Sequence, residues 1–529
     1  MKLTLLAATV FAAAALAQQQ KQPSGEPIDF MTIVIEGKEA LNLPKSLVKV
    51  LPQTPKPYNP SELDSINPLE KVPLFRSVPA DYPRSIVAKD RRRMVAEASA
   101  GLYGFATVAG QFQTHVGHYT LDARGTLDRG GAYTPNADYF RSRFEIIGRY
   151  ASLVHDSTTQ AISAGHVQFD RSSYRLFARP DAPARSLRMI ALELHQQDVF
   201  DHYPYSVNAT IRSTRLSQAD TITTDETDLR CDLRFNAAHI GQAEIGGFAS
   251  LSYRNYRTVP LHFHTIGARA RHIDSSLELS AAIAGQFATT SWRATNAAPM
   301  LEISARWSVE SAFWIEGTLD SRLDPVRFGE LSLLCPYIAD TAAIGVRRIS
   351  YRMRGTATYQ PRENMLVAFQ IGLASYGDAP ILESVPDGTV GVIYRAQIER
   401  TLGVRARYTT DAGDGLSATI EVTHVTMENS ARQVPYRPLL SASLEYARRF
   451  TERFTTSVQA GYVSSRLTTR AANERLSSYF LLGMRAEYQL NQTLAIVATA
   501  DNLFGSAYER WQGYRERGSF VAVGAVLNF

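Results

Sequence analysis

Only two of the 529 residues are cysteine, too few for a disulfide-stapled scaffold. Beyond the first twenty residues, no uninterrupted apolar run approaches the ~20 residues that a membrane helix needs, which excludes a helical membrane protein. Charge excess is also small. The 56 Lys plus Arg against 51 Asp plus Glu leave a net charge of +5, which gives nucleic-acid binding no support. Lysine is the most unevenly missing residue: all eight lie at or before Lys89, and the rest of the chain uses arginine alone. Yet 45% of the residues are hydrophobic, too many for a disordered protein.

The N-terminal part divides by composition. Residues 1–17 read as a signal peptide: Met1 and Lys2, an apolar stretch from Leu3 to Leu16, then the small-x-small triplet Ala15-Leu16-Ala17. Residues 18–93 hold 11 of the 24 prolines, between Pro23 and Pro83. Proline locks φ and lacks an amide donor, so this stretch is expected to be an extended periplasmic or lumenal segment rather than helix or central strand. Arg91-Arg92-Arg93 closes it, either as a solvated basic turn or as an anchor at membrane headgroups.

Residues 94–529 repeat one pattern, about ten residues of alternating apolar and polar character and then a turn. Period-two alternation gives each strand two chemically distinct faces. Leu229, Cys231, Leu233 and Phe235 oppose Arg230, Asp232 and Arg234; Leu402, Val404, Ala406 and Tyr408 oppose Arg405 and Arg407. Ile349, Tyr351 and Met353 oppose Arg348, Arg352 and Arg354. A soluble sandwich alternates too, but rarely for so long without a domain break. The reading is all-β: a transmembrane antiparallel β-barrel of about 22 strands, within a range of about 16–22, behind a proline-rich extended N-terminal segment. Longer breaks are expected at 127–138, 320–340 and 375–388.

The last stretch, from Phe520, places Val521, Val523, Ala525, Leu527 and Phe529 on one face. An alternating strand ending in an aromatic is similar to the C-terminal signal by which the bacterial barrel-assembly machinery takes up its clients. That makes Val523, Ala525, Leu527 and Phe529 candidate assembly residues, and the outer membrane and its lipid the expected surroundings. Two further stretches carry a family resemblance. Met31, Thr32, Ile33, Val34 and Ile35, followed by Glu36-Gly37, resemble the box by which TonB-dependent receptors engage TonB. Such strand addition needs an extended apolar segment on a tether; a short strand or an unpartnered apolar tail reads the same way. Asp501-Asn502-Leu503-Phe504 with Tyr508-Glu509 resembles that family's penultimate-strand signature. The resemblance implies a receptor-like transport barrel for a small-molecule solute, with TonB as a partner. It covers box and barrel only, because the proline-rich stretch after Gly37 is too short for the family's globular plug. The tether is therefore expected to act as a partial plug. A passive diffusion porin, or a non-transporting barrel whose N-terminal segment binds periplasmic partners, fits the same pattern.

The lumen face is arginine-rich. Arg230, Arg234, Arg348, Arg352, Arg354, Arg405 and Arg407 are expected to point inward, to attract anionic solutes or to pair with inward acids and brace the barrel. His262 and His264 share a face without a third ligand at a diagnostic spacing, so no metal is expected. Cys231 follows the lipid-facing parity, and Cys335 falls in a long loop. No Gly-x-Ser-x-Gly elbow or phosphate-cradling loop is present, and no nucleophile–base constellation emerges, so neither enzymatic activity nor a cofactor is expected.

Overall fold

The computed structural model describes residues 92–529, apart from 117, 154–159, 201–202, 220, 291–292, 411–412, 429, 431 and 471–473. Residues 1–91, and with them the signal peptide, the proline-rich tether and the box-like Met31–Ile35, lie outside the described residues. The chain forms a 22-stranded antiparallel sheet in which each strand pairs with its sequence neighbours. The first strand, Arg92–Gly101, also pairs with the last, Phe520–Asn528, and so closes the ring. Closure satisfies every edge, the requirement for a sheet surrounded by lipid. The first strand opens at Arg92, two residues before the expected boundary.

The alternation read from the sequence becomes two surfaces. Ile266 is 67% exposed and Ile283 63% exposed on the outer face, while between them Thr265 and Gln286 are buried on the inner face and hydrogen-bonded to each other at 3.3 Å. A water-soluble protein rarely exposes an apolar band of this extent. Lipid requires one, with a polar lumen inside. The fold is a transmembrane barrel of the outer-membrane kind.

The two rims differ. One carries turns such as 241–242, 311–312 and 363–364, together with the start of the first strand and the end of the last. The other carries the segments 326–345, 428–439, 464–478 and 502–519. In such barrels the short turns are periplasmic and the longer loops extracellular. The expected break at 375–388 is mostly strand instead, because Met365–Ser384 absorbs an irregularity between Tyr376 and Ala379 and keeps pairing.

The strand Val346–Arg362 also departs from the expected alternation. The register shifts between Arg348 and Ile349 and again between Ile349 and Tyr351. A bulge inverts the parity on its far side. Ile349 is therefore only 1% exposed, packed with Ala374, Tyr376 and Ala379, and Arg348 is exposed on the opposite face from Ile349. Arg347 takes the inward position instead, beside Asp324 and over the Tyr376 ring.

Candidate functional site

The segment between Pro325 and Val346 does not stay at the rim. Its helix, Phe328–Leu334, places Phe328 and Leu331 one turn apart, and both are buried. They join Cys335, Ile338 and Ala342 in a core completed by Leu187 and Leu216 from one part of the wall and by Val390 and Val392 from another. Leu187 lies on the sixth strand, Ala184–Phe200, and Val392 on the sixteenth, Val390–Thr409, of a ring of 22. Strands so far apart in a closed ring face each other, so the loop crosses the lumen.

Each wall holds it by backbone carbonyls and amides. From one side, Arg185 donates from Nη1 to the Ile338 carbonyl at 2.6 Å, Thr224 to Asp340 at 2.8 Å and the Tyr256 hydroxyl to Ala342 at 2.8 Å. From the other, Ala339 N donates to the Val390 carbonyl at 2.8 Å and Val390 N to Tyr337 at 2.9 Å, while Gly345 N donates to the Tyr394 hydroxyl at 2.9 Å. Two neighbouring loops add an aromatic clamp. Tyr337 stacks on Tyr514 with centroids 3.4 Å apart and planes at 11°, and Phe177 meets both edge-on.

The start of the helix is held by charge. The Glu226 carboxylate accepts the Phe328 and Gly329 amides, both at 3.1 Å, which satisfies two helix-start donors that lack intrahelical partners. Arg254, 1% exposed, donates from Nη1 to the Val326 carbonyl and lies 3.6 Å from Glu226 and 3.9 Å from Asp228. Arg327 completes the group at 2.5 Å from Asp228 and 2.7 Å from Glu330. Burial disfavours the Arg327 charge, but Glu330 and Asp228 overcome it and hold its pKa above the ordinary arginine value. Burial also pushes the Cys335 thiol well above its usual pKa.

Two cavities flank the loop. One of about 310 Å³ is lined by Asp324, Arg347, Arg352, Arg354, Glu399 and Arg437 among others. The second, about 220 Å³, includes Glu97, Asp128, Arg141, Arg485 and Arg517. Many of these charges are paired: Arg352 grips Asp320 with bonds of 2.8 and 2.9 Å, Arg437 meets Glu399 at 2.8 Å, and Arg485 meets Glu97 at 2.8 Å.

No protein-family model matches this sequence, and no curated protein matches it either. Solved structures do. The FrpB iron transporter from Neisseria meningitidis superposes with a TM-score of 0.65 at 10% identity, over 84% of this chain and 83% of that one. The copper transporter OprC gives 0.63 at 9% identity, over 83% and 80%. The ferric-catecholate import receptor Fiu from K12 E. coli, in its closed form, gives 0.62 at 10%, over 83% and 82%. The chain has the fold of the TonB-dependent receptors. At this identity the likeness shows the fold alone.

Within that TonB-dependent-receptor fold, the arginines singled out from sequence do not form one constellation. Arg352 and Arg354 line the larger cavity. Arg230 is exposed and grips Asp232 at 2.8 and 3.0 Å on its own strand. Arg234, Arg405 and Arg407 make no ion pair among the described residues. Val523, Leu527 and Phe529 are exposed, and Ala525 lies between Ala98 and Ile496 of the flanking strands. His262 and His264 stack at 6.3 Å in a shallow outer depression with Leu251 and Tyr253. Cys231 is exposed, Cys335 buried, and both are free. Sequence reasoning missed Glu226, Asp228, Arg254 and Arg327. Two signals were available: the helical spacing of Phe328, Leu331 and Leu334 inside an expected loop, and two acids on the same parity as Arg230.

Proposed function

We propose that this chain is an outer-membrane uptake barrel for a small-molecule solute, closed on its extracellular side by the lumen-crossing loop. The carrying observation is that the loop is held from two facing walls by a buried core and a charge cluster. A barrel that only braces a membrane needs no such crossing. An iron transporter, a copper transporter and a ferric-catecholate import receptor share the fold, which supports transport as the use of the lumen. A solute arriving from outside shifts the loop only if it binds the displaced form better than the docked one. On this reading residues 18–93 are a periplasmic handle and partial plug, and Met31–Ile35 add a strand to TonB. Val523 to Phe529 present the edge that the barrel-assembly machinery takes up. The two polar cavities beside the loop favour one second reading, a diffusion porin with a constriction.

Single-channel conductance in planar bilayers separates the two. The intact chain is expected to conduct poorly, a variant lacking residues 23–90 to conduct more, and Arg254→Met to add to that opening. Large conductance from the intact chain, unchanged by either alteration, would support the porin and remove the gating role. Cross-linking from a cysteine placed at position 33 tests the partner, and its absence in energised cells would sink the TonB assignment.

A further inference from the structure

Three arginines stand side by side on the outside of the wall. Arg171, Arg188 and Arg215 lie on consecutive strands, Arg171 directly opposite Arg188 and Arg188 directly opposite Arg215. All three are exposed. They share the outer face with Ile190, 52% exposed, and Ile211, 49% exposed, which lie towards the periplasmic rim. The row therefore sits at the extracellular border of the apolar band.

Like charges directly opposite in a sheet repel. None of the three makes an ion pair or a hydrogen bond among the described residues. Asp225, exposed and opposite Arg215 at the end of the row, forms no ion pair with it. Inward arginines of the same part of the wall are treated differently: Arg143 meets Asp170 at 2.6 Å, and Arg212 lies 3.5 Å from Glu193. The row of residues next towards the extracellular rim is Ser173, Ser186 and Ser217, again in register. The Ser186 hydroxyl is buried and has no hydrogen-bond partner among the described residues. Exposed, unpartnered cations above an apolar platform match an anionic amphiphile.

We infer that this row binds the phosphates of lipid A in the outer leaflet, with the acyl chains lying against Phe169, Ile190 and Ile211. Guanidinium groups bind phosphate oxygens in pairs and over-represent themselves where that geometry is needed. Adjacent strands are roughly 5 Å apart, so the row spans roughly 10 Å. A lipid bearing two phosphates on one sugar pair can engage all three arginines, whereas a glycerolipid with one phosphate reaches only part of the row.

Native mass spectrometry of the full chain after detergent exchange tests this, with diphosphorylated lipid A, dephosphorylated lipid A and phosphatidylglycerol as probes. The expected result is retention of one diphosphorylated lipid A, at least tenfold weaker in the Arg171→Gln/Arg188→Gln/Arg215→Gln variant. Equal retention by that variant, in its heat-modifiable folded form, would overturn the assignment. So would retention of the dephosphorylated lipid or of phosphatidylglycerol to the same degree by the unaltered chain, a comparison that needs no variant to fold. Because the readout is lipid retention, its outcome is independent of whether the barrel gates a solute.

Discussion

The two rims of the barrel are built by different rules. At the periplasmic rim strands hand over to one another through turns such as 241–242, 311–312 and 363–364. At the extracellular rim the segment 326–345 carries its own helix and its own apolar core across the opening. The wall needs only parity and register, which repeat every two residues. The mouth behaves like a small globular domain, in which Phe328, Ile338, Val392 and Tyr514 pack together from distant parts of the chain.

Mutations should separate wall from mouth, beginning with the wall. Gly524 lies on the last strand, at the seam with the first. A Cβ there would lie 2.3 Å from the Ala98 carbonyl oxygen and 2.6 Å from the Ser99 Cβ. Gly524→Val is expected to abolish most ring closure, seen as loss of the heat-modifiable folded band on gels. A normal folded band would mean that the seam tolerates far more than its geometry indicates.

The mouth should fail without the wall. Arg254→Met leaves Glu226 and Asp228 buried with one cation fewer, a change that costs about 3–5 kcal/mol in comparable sites. The folded band should persist while protease cuts within 326–345 appear; an equally protected loop would show that the charge cluster does not hold it. Phe328→Ala, at a fully buried position, acts on the same loop through packing, at about 3–5 kcal/mol. It should raise single-channel conductance with little change in the band.

Smaller effects refine the picture. Tyr514→Ala removes the stack on Tyr337, worth about 0.5–1.5 kcal/mol beyond its area, and should make the same cuts appear only at higher protease concentration. The smallest concerns the two thiols. Cys335, buried and with its pKa raised, is expected to resist a water-soluble maleimide until the protein unfolds. Cys231→Ser, on the exposed face, should change stability by no more than about 0.5 kcal/mol. Rapid labelling of Cys335 in the folded barrel would mean that the mouth opens readily.

What the sequence made legible follows the same division. The barrel class, a strand count of about 22 and the outward parity of Leu229, Leu402 and Val523 all rest on a period that any local window displays. Arg348 escaped because a bulge inverts parity without marking the sequence. The loop core escaped for a different reason: Phe328 and Val392 meet only after the ring has closed, and no local pattern encodes a contact across a diameter. The charge cluster escaped only in part for that reason: Asp228 lies directly opposite Arg254 on the neighbouring strand, whereas Val326 and Arg327 join them only once the loop has crossed the lumen.

The seam has a consequence for the order of events during synthesis. Met94 and Phe529 exchange backbone hydrogen bonds of 3.1 and 2.8 Å, so the first strand waits for the last. Until Phe520–Asn528 has been translated and delivered, every intermediate carries an unsatisfied edge that another chain could join. Folding cannot proceed as the chain emerges, and escort to the membrane has to last until the final residues arrive.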